Sequence, residues 1–87
     1  MKRIGFLGIV VRADKKISIE IQRILNEHSN IIIGRMGVPD KENQLSAICL
    51  ILEGKVEEIS ALSGKLGKLN NVDVKSTLLS ADIIIAD

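Results

Sequence analysis

Cys49 and His28 are the only cysteine and the only histidine in the 87-residue chain. A structural zinc site takes four ligands and a catalytic one at least three protein ligands. No second histidine and no pair of closely spaced cysteines is present to complete such a set, so no metal site is expected. Cys49 sits among aliphatic residues in QLSAICLILE (44–53), where a free cysteine is expected to act as a small buried hydrophobe. His28 closes an apolar helical stripe, a position suited to capping the last carbonyls. No serine has a histidine base in its local pattern, and no pair of carboxylates is set off by an apolar run. No catalytic residue, enzyme activity or cofactor is therefore expected. Arg35 stands apart, lying between Gly34 and Gly37 in GRMGVP (34–39). A guanidinium can grip a carboxylate or phosphate with two hydrogen bonds, and glycines let backbone approach a ligand closely. Gly34, Arg35 and Gly37 are the candidate ligand-binding residues. The competing reading is a turn whose arginine meets a neighbour's acid.

These residues need elements to position them. Residues 3–11 read as a strand with Ile4, Phe6 and Val10 on one face and Leu7, Ile9 and Val11 on the other. Apolar residues on both faces mark a central strand. Asp14 stands where a helix N-cap would. The apolar spacing then becomes helical over 15–28, through Ile17, Ile21, Ile24, Leu25 and His28. A second strand is expected at 30–36. The segment 34–43 holds two glycines, the only proline and a polar cluster, and reads as a loop. A third strand, 44–53, is again apolar on both faces, and a second helix covers about 55–66. Ser60, Gly64 and Gly67 fall on one side of that helix. An interior glycine costs about 1 kcal/mol relative to alanine, so close packing against a second helix or subunit is expected there. Asn70 and Asn71 suit a turn with left-handed backbone. A fourth strand, 72–79, sets Val72, Val74 and Leu78 against Asp73, Lys75 and Thr77.

The order β-α-β-β-α-β predicts an α+β ferredoxin-like sandwich, a four-stranded antiparallel sheet with two helices on one face. Residues 1–80 form this domain, and the tail 81–87 is a candidate extra strand. Strands one and three would be central. One of their two apolar faces must then point away from the helices. Each large side chain left wet there forfeits about 1.5–3 kcal/mol, and apolar patches of that size rarely stay bare on a monomer. A homo-oligomer, dimer or tetramer, is the expected remedy.

Composition narrows the partners further. Net charge is +1 and the basic residues are dispersed among eleven acids, unlike the basic stripe of a nucleic-acid binder. Phe6 is the single aromatic residue, too few for base stacking. No direct nucleic-acid contact is expected. The apolar run 4–11 is too short to span a bilayer and lacks a signal-peptide cleavage pattern. A lone cysteine fits a reducing compartment. The expectation is a cytoplasmic protein without membrane contact.

GRMGVP (34–39), the apolar strand after it, and ISALSGKLGKLNNVDVK (59–75), with ALSGKLG at its centre, resemble the family of candidate iron-only hydrogenase system regulators. The resemblance covers residues 3–79. It implies a ferredoxin-like domain related to ACT modules and to the C-terminal domain of nickel-responsive repressors, both oligomeric ligand sensors. Amino-acid-binding ACT modules favour a glycine in the first strand-to-helix turn, whereas RADKK (12–16) has none. The nickel domain uses several histidines and a cysteine, against one of each here. The implied function is a self-associating regulatory domain of a hydrogenase system, sensing a small effector at a subunit interface. Any effect on transcription would pass through a separate DNA-binding partner. The alternative is a protein-interaction adaptor without a ligand.

Overall fold

The computed structural model describes residues 2–12 and 14–79. The elements run β1 (Arg3–Arg12), α1 (Lys15–Glu27), a single 3-10 turn (Ser29–Ile31), β2 (Ile32–Asp40), β3 (Leu45–Gly54), α2 (Val56–Gly67) and β4 (Val72–Leu78). The strands form one sheet in the order β2-β3-β1-β4. Every pairing in it is antiparallel. This is the ferredoxin-like α+β architecture expected from the order, with β1 and β3 inside and β2 and β4 at the edges.

The strand faces divide as their alternation requires. Leu7, Ile9 and Val11 on β1 and Ile48, Leu50 and Leu52 on β3 are buried beneath the helices. They pack with Ile21, Ile24 and Leu25 of α1 and Ile59, Leu62 and Leu66 of α2 in a single core. Core packing is tight where the chain leaves β3. A Cβ on Gly54 would lie 2.9 Å from Ile31 Cγ2, so only glycine fits without displacing that side chain.

The helix ends are set by local chemistry. Asp14 accepts hydrogen bonds from the backbone N–H groups of Lys16 (2.9 Å) and Ile17 (3.3 Å), as an N-cap does. Glu58 in the first turn of α2 accepts from the Lys55 N–H at 2.9 Å. On the surface of α1, Arg23 bridges Glu20 and Glu27. Lys65 of α2 reaches Glu27 at 3.6 Å. Asn71 takes left-handed backbone at φ 63° in the turn expected there.

Four expectations need correction. The segment 34–43 is mostly strand: β2 runs to Asp40 and only residues 41–44 turn. An edge position explains this, because proline is tolerated where a strand's outer side has no partner to receive an N–H, and Pro39 lies on edge strand β2. Cys49 is exposed rather than buried, because it belongs to the sheet face without helices. Gly64 meets no atom of the described residues within 4 Å of where a Cβ would stand, so of the two contacts expected there the second helix is not the one that packs against it, and only contact with a second subunit is left as an expectation. His28 contributes its backbone N–H, to Ile24 and Leu25 carbonyls at 3.2 Å, as C-cap of α1. Its Nε2 is buried and has no hydrogen-bond partner among the described residues, so the side chain caps nothing. The extra strand expected in 81–87 lies outside the described residues.

Core depth sets the expected response to truncation. Leu52→Ala, at a fully buried site, should lower stability by about 2–5 kcal/mol in urea unfolding. Ile19→Ala, at a site 65% exposed, should change it by less than about 0.5 kcal/mol. Similar losses at both sites would contradict this division of core and surface.

Candidate functional site

Two surface features surround edge strand β2, one on each face of the sheet. The register pairs Arg35 with Leu50, Gly37 with Ile48 and Pro39 with Ser46. These residues share the helix-side face. Gly34 pairs with Ile51, Met36 with Cys49 and Val38 with Ala47, on the opposite face. A register shift between Ile32 and Gly34 sets this alternation.

On the helix side, α1 leaves part of β2 uncovered. A groove of about 210 Å³ opens there, with Val11, Ile21 and Ile48 as its apolar floor. Ser18, Gln22, Arg35 and Ser46 supply its polar groups. Arg35 donates to the Gln22 side-chain oxygen at 2.9 Å, which holds the guanidinium along the groove. Among the described residues no carboxylate lies within ion-pair distance of it. Gly37 leaves the groove open, since a Cβ on it would meet nothing within 4 Å. Of the three candidate residues, Arg35 and Gly37 meet in this groove. Gly34 faces away, with Ile51 side-chain atoms 3.6–3.9 Å from where its Cβ would be. Ser18, Gln22 and Ser46 were not singled out in the sequence. Common polar residues carry no signal until the fold brings α1 beside β2.

The opposite face has no helix. Phe6 and Val10 of β1, Met36 and Val38 of β2, and Ile51 of β3 are all exposed there. Gly8, Ala47 and Cys49 are small and lie side by side, so a hollow of about 250 Å³ forms at the centre. The Phe6–Ile51 pair stands beside it. On this face β4 presents Asp73, Lys75 and Thr77, and Arg12, Asp40 and Glu53 stand at the ends of the other three strands. His28, at the end of α1, and Cys49, on the helix-free face, stand in different layers and share no site.

These features lie on a recognisable chain. The model of the TM1266-like family, described as candidate iron-only hydrogenase system regulators, matches residues 3–76. The chain belongs to this family. An uncharacterized TM1266-like structure from Thermotoga maritima superposes with a TM-score of 0.90 at 36% identity, over 92% of this chain and 100% of that one. The ACT domain of a GTP pyrophosphokinase from Chlorobium tepidum gives 0.73 at 14% identity, over 88% and 100%. The C-terminal domain of the MgtC protein from Mycobacterium tuberculosis gives 0.64 at 10%, over 91% and 89%. The latter two likenesses show the ACT-like fold alone. No curated protein matches the chain. In this TM1266-like domain no helix among the described residues is long and apolar enough to cross a membrane.

The far end of β2 is pinned by a small polar turn. Asp40 accepts from the Asn43 side chain (2.9 Å) and backbone N–H (3.2 Å). Those bonds, the side-chain one foremost, hold its carboxyl below the usual carboxylate range. A lowered folded-state value means the turn gains from ionised Asp40 above the unfolded value and loses that gain as pH falls through the folded one. In an NMR acid titration Asp40 should have a lower midpoint than in Asn43→Ala. Identical midpoints would remove the proposed cause.

Proposed function

We propose that this TM1266-like domain regulates by associating with copies of itself through the helix-free sheet face, with a small-ligand site at β2 around Arg35 and Gly37. The observation that carries the reading is the bare apolar face of the two central strands and β2. Phe6 and Val10 are each 39% exposed and Met36 is 61% exposed. Burying such side chains against a partner recovers about 25 cal/mol for each Å² removed from water.

A second copy is the occupant that suits this surface. A two-fold interface needs a patch complementary to itself. Here a knob, Phe6 with Ile51, stands beside a hollow floored by Gly8, Ala47 and Cys49. Rotating one copy onto another sets each knob over the other's hollow. Four strands about 4.8 Å apart, the two central ones 10 residues long, make a face of at most about 20 Å by 30 Å. Stacking would cover up to roughly 600 Å² per copy before rim contacts, near the roughly 800 Å² of a standard stable interface. On β4, Asp73 and Lys75 supply opposite charges at the polar border.

Strand β2 would link assembly to a ligand. Arg35 and Gly37 line the groove and Val38 borders it, while Met36 and Val38 pair with Cys49 and Ala47 on the helix-free face. A ligand that orders β2 from one side steadies the docking surface on the other. A ligand bound only by the assembled form shifts the equilibrium toward it. The groove opens away from a face-to-face partner, so the coupling runs through the strand.

Light scattering at micromolar concentration should show a dimer or larger assembly. Ile51→Glu should give a folded monomer. The Cys49 thiol should react slowly with an alkylating reagent in the wild type and quickly in Ile51→Glu. A wild-type monomer whose Cys49 reacts as a free thiol would end this reading.

A further inference from the structure

We infer that the groove between α1 and β2 takes a small aliphatic carboxylate without an α-ammonium group, in preference to an amino acid. This rests on the ligand site proposed at β2 and names the class of molecule it holds.

The polar groups of the groove are unequal in sign. Among the described residues Arg35 is its one charged residue, and no aspartate or glutamate lines it. Among the described residues the guanidinium makes one hydrogen bond, to Gln22, and no ion pair. A guanidinium has five N–H donors in a planar fork, so most of its capacity remains for an incoming anion. The hydroxyls of Ser18 and Ser46 add donors nearby. A carboxylate gains charge-assisted, two-pronged bonding from such a set. An ammonium group gains no counter-charge and would sit near the arginine's own positive charge. The absence of an acid therefore discriminates between an amino acid and its deamino analogue.

The walls set the rest of the molecule. Val11, Ile21 and Ile48 are buried aliphatic residues that floor the groove, and Pro39 lies at its margin. They suit a short branched hydrocarbon body. The volume, about 210 Å³, is below the roughly 300–1,000 Å³ of pockets for drug-sized ligands. It suits a compound of a few carbons.

Gly37 supplies an independent test of place. Its backbone has no positive φ and a side chain there would point into open space. A valine at 37 therefore suits a strand and fills the groove without clashing with the fold.

Isovalerate, isovaleramide and L-valine separate the contributions, because they share one carbon skeleton. The amide lacks the charge and valine adds the ammonium group. Binding to the full chain is read from 1H–15N correlation spectra. Isovalerate should move the Gln22, Gly37 and Ile48 amide signals saturably. Isovaleramide and L-valine should bind at least about tenfold more weakly, the discrimination expected of a charge-assisted hydrogen bond. Arg35→Gln should weaken isovalerate by a similar factor, and Gly37→Val should abolish its binding while the spectrum stays folded. Equal binding of the amide or of valine would overturn the ligand class. No saturable shift with any of the three would overturn the site. In either case the assembly measured by light scattering stands or falls separately.

Discussion

A sheet has two faces, and in this protein the two helices are both on the same one. The central strands β1 and β3 nevertheless carry large apolar side chains on both sides. On the helix side they complete a close-packed core with Leu7, Ile9, Leu50 and Leu52 almost fully buried. On the other side Phe6, Val10 and Ile51 remain exposed. A domain of this length buries a modest fraction of its unfolded surface, so its own core leaves it little margin. That unbalanced sheet is the constraint from which the proposed assembly and its regulation follow.

Strand β2 borders both of the proposed sites, one on each side of the sheet. Its pleat alternates groove residues with sheet-face residues, and its edge position leaves it the least supported of the strands that carry the apolar face. The shift between Ile32 and Gly34 sets which residues face which way. The Asp40–Asn43 turn holds its far end. A molecule that engages Arg35 thus acts on the same few residues that place Met36 and Val38. The two sites are separated by the thickness of one strand, so a long chain of intermediates is unnecessary to couple them.

Membership of the TM1266-like family and likeness to ACT domains describe the scaffold. Function is carried by sites placed on a scaffold, and one fold serves many. For this chain the informative sites are a bare sheet face and a one-arginine groove. The lone histidine and cysteine fall in separate layers, so the features that first suggest metal chemistry lead nowhere among the described residues.

Much of this was legible in the amino-acid order. The apolar runs on both faces of 3–11 and 44–53 identified the central strands, because side chains alternate strictly along a strand. The N-cap at Asp14, the turn at Asn71 and the helical stripe through Ile21, Ile24 and Leu25 are local features, set by neighbours a few residues away. Other matters depended on contacts between distant segments. Alternation shows that a strand has two apolar faces but not which one meets the helices, so the exposure of Cys49 and the burial of Leu50 could be told only from the packed chain. Pro39 and two glycines read as loop because their propensities oppose a strand interior, and edge pairing overrode them. Ser18 and Gln22 became part of a groove only when α1 lay beside β2, and Gly34 left it when the register turned that residue to the other face.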